Sequence, residues 1–143
     1  MALVPFDQVI EEYHQANTEF IKGNYGPFQQ LFSHRSDLTL LNPVGDVAVG
    51  WEQVRQVQER AMSHYHGGEA AGFENLVTYV TPELAFIVEI ERQMTTVSGS
   101  SEKVPVALRV TTIFRPEDGT WKIVHRHADP ISAPRPPESV IQR

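Results

Sequence analysis

Near the start of the chain the apolar side chains stand at Phe6, Val9, Ile10, Tyr13, Ala16, Phe20 and Ile21. These three- and four-residue steps predict an amphipathic helix from Pro5 to about Lys22, with Pro5 in its first turn and Gly23 past its end. Beyond Gly23-Asn24, the residues Tyr25, Phe28, Leu31 and Phe32 predict a second, short helix. The stretch "DLTLLNPVGDVAVG" reads as a strand, a Pro-Gly-Asp turn and another short strand. Gly50 opens a third helix, "WEQVRQVQERAMSHYH", with Trp51, Val54, Val57 and Ala61 on one side and Gly67-Gly68 as its stop. The second half of the chain is strand-like: "GFENLVTYV", "ELAFIVEIERQM", "EKVPVALRVTTIFR" and "TWKIVHRHAD", separated at Pro82, Ser98 to Ser101, and Pro116 to Gly119.

Helices first and a meander afterwards predict the α+β class. The connections are short, so consecutive strands should be antiparallel neighbours. The expected architecture is a cone: one curved, mixed or antiparallel sheet wrapped around the N-terminal helices, with a pocket on its concave face. Residues 1–130 form a single domain in this reading, and 131–143 form an extended, Pro-rich C-terminal tail able to lie on a partner.

Alternation assigns a face to each strand residue. After Glu83, Leu84, Phe86, Val88, Ile90 and Arg92 share one face, and Ala85, Ile87, Glu89, Glu91 and Gln93 the other. Hydrophobicity sends the first set to the core, with Arg92 at the pocket mouth, and the second set outward. In the next strand Val106, Leu108, Val110, Thr112 and Phe114 face inward, while Arg109, Thr111, Ile113 and Arg115 point away. A hairpin with Arg115 opposite Trp121 sets Thr111 against His125 and Arg109 against His127. Trp121, Ile123, His125 and His127 are then outside, and Val124, Arg126 and Ala128 inside; a slip or a bulge reverses that.

The expected pocket set is therefore Tyr13, Asn42, Val57, Phe86, Val88, Ile90, Arg92, Thr112 and Arg126. A buried cation is costly unless paired, so Arg92 and Arg126 each need a carboxylate partner, an anionic ligand or a route to the rim. The expected dimer interface is Arg109, Thr111, Ile113, Trp121, Ile123, His125 and His127, with Arg115 able to stack on Trp121. His125, His127 and Asp129 alternate on one strand and could hold a metal. The apolar and aromatic company on that face favours an interface instead, so no metal is expected. His64, Tyr65 and His66 close the third helix, where histidines suit the negative end of the helix dipole.

Composition narrows the classes. In 143 residues the net charge is -6 and the basic residues are scattered, with lysine only at 22, 103 and 122. Phosphate neutralisation needs clustered cations, which argues against nucleic acid as a partner. Without cysteine there is no disulfide and no thiolate chemistry. No apolar run approaches the ~20 residues that span a membrane. The segment "MALVPFDQVIEEYH" lacks the basic start of a secretory signal. A cytoplasmic protein without membrane contact is expected.

The element order and "LRVTTIFRPEDGTWKIVHRHAD", supported by "NPVG" and "GW", resemble the nuclear transport factor 2-like superfamily, in its SnoaL-like and ketosteroid-isomerase-like branch. The resemblance runs from Phe6 to about Asp129. It implies a cone with a pocket, frequent dimers, and members that include enzymes, binding modules and assembly domains, so the fold alone leaves function open. Ketosteroid isomerases use an aspartate base and an oxyanion hole of tyrosine and protonated aspartate. The matching base position holds Asn42, in Asn42-Pro43-Val44-Gly45; the tyrosine position falls near Ala16, with Tyr13 a turn earlier, and the second aspartate near Val110. An amide takes no proton at neutral pH, so that mechanism is disfavoured.

Two readings from different classes stand side by side. In the first, the chain is a dimeric small-molecule-binding protein with an apolar pocket and cationic anchors, its ligand a carboxylate among the candidates, and with no cofactor. In the second, it is an isomerase, cyclase or dehydratase acting on a small carbonyl or polycyclic substrate, with His125 or His127 as acid/base. The face occupied by those histidines separates the two.

Overall fold

A computed structural model describes residues 3–64, 67–96 and 101–142. The expectations for Tyr65, His66, the side chain of His64 and the turn from Ser98 to Ser100 lie outside the described residues. Helix α1 spans Phe6–Lys22, α2 Gly26–Leu31 and α3 Trp51–His64. Pro5 supplies the carbonyl that receives the Gln8 amide at 3.0 Å. Gly23, at φ 119°, ends α1 in a left-handed conformation that a side chain would strain. The buried stripe of α1 is Phe6, Val9, Tyr13, Ala16 and Asn17.

The strands are β1 Thr39–Leu41, β2 Val47–Val49, β3 Glu69–Val80, β4 Ala85–Thr96, β5 Lys103–Glu117 and β6 Thr120–Asp129. They form one sheet in the order β2-β1-β6-β5-β4-β3. All pairings are antiparallel except β1 with β6, so the sheet is mixed and the expected α+β architecture holds. Asp118 (φ 53°) and Gly119 (φ 81°) make the two-residue turn between β5 and β6, the Asp-Gly chemistry that such hairpins require. Irregular pairing leaves Ala71 and Leu76 as extra residues in β3 and Val124 in β6. Extra residues of this kind bend a strand and raise its twist, and here they curve the sheet around the helices.

The core lies between the helices and the concave face of the sheet. Phe6, Phe114 and Trp121 pack edge to face at 5.1 and 5.2 Å, beside Phe28, Phe32, Ile87 and Ile123. Beyond Asp129 the tail contains a 3-10 turn at Pro137–Val140 and runs past Arg109. Among the described residues no helix is long and apolar enough to cross a membrane.

Two face assignments differ from the sequence reading. In β4 the buried row is Ala85, Ile87, Glu89 and Glu91, while Phe86, Val88, Ile90 and Arg92 stand on the convex side. Hydrophobicity alone misassigned them because both rows begin apolar and the two glutamates find buried partners. In β6, Trp121 and Ile123 are buried in the core rather than turned outward. The pairing explains it: Phe114 faces Ile123 but Ile113 faces His125, so Val124 is skipped and parity reverses there. Arg126 and Ala128 consequently point inward, and His125 and His127 outward. Thr111 pairs with His127 and Arg109 with Asp129, two residues along from the expected register. Arg115 lies opposite Lys122, and its guanidinium binds Asp37 and Glu117, so it does not stack on Trp121.

Candidate functional site

Between α1, α3 and the concave sheet lies a cavity of about 410 Å³. Helix α1 contributes Asn17, Phe20 and Ile21 to its wall, and α3 contributes Val57, Gln58 and Ala61. Helical periodicity sets these positions, because it turns the same stripe of each helix towards the sheet. The sheet supplies the floor from neighbouring strands: Leu40, Arg126, Leu108, Glu91 and Gln93. At the mouth, the β1–β2 turn is closed by Asn42. Its Nδ2 donates to Asp46 at 2.8 Å, and its Oδ1 accepts the Asp46 amide at 2.8 Å. Arg60 reaches the same Asp46 at 3.5 Å.

The floor is charged but internally compensated. Glu91 Oε1 accepts from Arg126 Nη2 at 2.7 Å and from Asn17 Nδ2 at 3.0 Å. Its Oε2 accepts from the Tyr13 hydroxyl at 2.5 Å. The Tyr13 oxygen in turn accepts from Arg126 Nε at 3.2 Å and Thr112 Oγ1 at 3.4 Å. Burial pushes the Tyr13 phenol well above its ordinary value; Arg126 opposes that and Glu91 reinforces it, so the phenol stays protonated and donates. Burial works against the Arg126 charge, but Glu91 and Tyr13 outweigh it and hold the guanidinium above its usual range. Arg126 also lies over the Phe28 ring at 5.7 Å.

A second polar group lies further along β4. Both oxygens of Glu89 contact His14 Nε2, at 2.8 and 3.0 Å, and Asn75 Nδ2 donates to Oε2 at 3.1 Å. The His14 ring stacks on Phe73 at 4.0 Å.

Of the residues singled out from the sequence, Asn42, Val57 and Arg126 line the cavity. Tyr13 and Thr112 are fully buried beneath its floor. Phe86, Val88 and Ile90 are on the opposite side of the sheet, as is Arg92, which pairs with Glu74 at 3.0 Å. Arg92 is thus no anchor for a ligand, and Arg126 has its carboxylate within the protein. Arg109, Thr111, Ile113, His125 and His127 share the convex face, where Arg109 forms a two-point ion pair with Asp129 at 2.8 Å. His125 Nδ1 meets Thr39 Oγ1 at 2.7 Å; burial, and then His127, lower its pKa. Neither histidine reaches the cavity, so neither can serve as its acid or base. Among the described residues no group of three His, Cys, Asp or Glu side chains could hold a metal.

Glu91, Asn17 and Gln58 were not singled out as pocket residues. Asn17 carries a retrospective signal, an amide on the otherwise apolar stripe of α1, whereas Glu91, between Glu89 and Gln93 in its row, carries none. For Gln58 only its place beside Val57 on the inward side of α3 could have pointed to it.

Residues 7–134 match the family model described as the SnoaL-like domain. A nuclear transport factor 2-like superfamily protein from Salmonella enterica serovar Typhimurium superposes with a TM-score of 0.74 at 16% identity, covering 92% of this chain and 94% of that one. A ketosteroid isomerase-like protein from Erwinia carotovora atroseptica gives 0.71 at 18% identity, covering 88% and 96%. A candidate dehydratase of the NTF2-like family from Streptomyces avermitilis gives 0.70 at 18% identity, covering 89% and 99%. At such identities the likeness is one of fold. Comparison with curated proteins finds no match.

Proposed function

The chain belongs to the SnoaL-like domain family, and from that premise we propose that it binds a neutral, largely apolar small molecule in the cavity of its cone. The observation that carries the reading is a cavity of about 410 Å³ with largely apolar walls, whose floor charges are already paired with each other. Its size falls in the range of small-molecule sites. An anion placed there would meet Glu91 as well as Arg126, so the internal ion pair removes the reason to expect a carboxylate. A general base must be free to take a proton, whereas Glu91 already accepts hydrogen bonds from Tyr13, Asn17 and Arg126. The positions matching the isomerase machinery hold Asn42, Ala16 and Val110, none of which ionises. Binding without catalysis is the function that this floor supports best.

Thermal melting with a matched pair of probes tests it. 2-Acetylnaphthalene should raise the melting temperature in a concentration-dependent way, since a ligand of the native state alone stabilises by mass action. 2-Naphthoate should raise it less. Ala61→Trp, which fills the cavity from α3, should abolish the shift. A shift that persists in that variant, or no shift for the neutral probe, would overturn the reading.

The convex face belongs to the same proposal. Val77, Val88, Tyr79, Phe86 and Ile113 are adjacent across β3, β4 and β5, and the Tyr79 and Phe86 rings stack at 5.3 Å. Tyr79 is 55% and Val77 46% exposed. An apolar patch spanning three strands marks an interaction surface, and a two-fold pairing covers it with its own copy.

A further inference from the structure

Among the described residues that line the cavity, Gln58 is the one whose buried polar atoms the protein leaves unanswered. It lies on α3 between Val57 and the turn carrying Ala61, lines the cavity, and is only 3% exposed. Neither its Nε2 nor its Oε1 has a hydrogen-bond partner among the described residues, and both atoms are buried. A buried amide in that state has given up its water contacts at both ends without replacement. The neighbouring polar groups differ: Asn17 donates to Glu91, and Asn42 closes its own turn.

We propose that Gln58, once a side-chain torsion turns its buried amide onto the cavity it lines, is a recognition residue for a ligand carrying a donor beside an acceptor, namely a cyclic or other cis-amide. This rests on the cavity being a small-molecule site. A carboxamide presents N–H and C=O in one plane, and the partner that answers both at once presents C=O and N–H in the same plane. A carboxylic acid has that shape but ionises, and the resulting anion would lie near Glu91. A cis-amide answers both atoms while remaining neutral, as the paired floor requires. A site built to bond a polar group also rejects analogues lacking it, because its own buried atoms are then left unpaired.

Isothermal titration of the full chain with 2-quinolone and 2-methoxyquinoline tests the assignment. The two share a ring frame, but the second has no N–H. Wild type should bind 2-quinolone about tenfold tighter or more. Gln58→Leu should erase that preference by weakening 2-quinolone alone. Its unliganded melting temperature should equal or exceed that of wild type, because a merely structural glutamine would lower it on removal. Should the leucine variant fail to fold, Gln58→Met, of similar length but with neither amide atom, is expected to lose the preference likewise. Equal affinities in wild type, or a preference that survives both substitutions, would overturn the assignment. If neither quinoline binds while 2-acetylnaphthalene still stabilises, the role of Gln58 falls and the cavity reading stands. Silence towards every probe removes both.

Discussion

Arg126 and Glu91 meet on the cavity floor at 2.7 Å with both side chains buried. Removing one member of such a pair leaves an uncompensated charge, which costs about 3–5 kcal/mol. Arg126→Met should therefore lower the unfolding free energy by about that amount in urea titrations. The double variant Arg126→Met with Glu91→Leu should recover much of the loss, because it removes the stranded carboxylate as well. A loss below about 1 kcal/mol in the single variant would place the pair among solvated surface bridges instead. At this scale the inward direction of Arg126 was legible in the sequence, and its partner was not. Glu91 sits two residues from Glu89 in a strand whose other row is apolar from Leu84 to Ile90, so alternation turned both carboxylates outward. What reversed them lies far off in sequence: Tyr13, His14 and Asn17 on α1 and Asn75 on β3.

At the scale of elements, β6 shows how one residue divides a strand between two tasks. Trp121 and Ile123 fill the core near Phe6, and Arg126 lines the cavity, although they differ in parity along the chain. The unpaired Val124 lets both face inward. Deleting Val124 should make the ladder regular and force either the Trp121 half or the Arg126 half outward. The expected result is loss of the cooperative melt followed by circular dichroism, whereas Val124→Ala should keep it. A deletion variant that melts like wild type would show that the extra residue is dispensable. The three helices, the four long strands and the Asp-Gly hairpin were all legible, because each depends on local periodicity and turn chemistry. The extra residues were not, since they are defined by the partner strand opposite them.

For the molecule as a whole, the convex face sets the expected state in solution. Light scattering after size exclusion should report about twice the chain mass of 16.1 kDa. Val88→Glu, placing a charge in the middle of the apolar patch, should give the single-chain mass and leave cavity binding unchanged. A monomeric wild type would overturn the pairing, as would a variant that remains dimeric.

The sequence alone determined the class, the element order, the antiparallel meander and the family, because these depend on periodicity, punctuating Gly and Pro residues and a recognisable hairpin. Only the tertiary structure decided which row of β4 faces the helices and that the charge of Arg126 is spent inside the protein. It also decided which of the Trp121 to His127 residues look inward, and that Gln58 has no partner among the described residues. The reason is physical: burial of a polar or charged side chain is permitted by what lies across from it in space. Such pairings, from α1 to β4 or from β5 to β6, join residues that no local pattern connects.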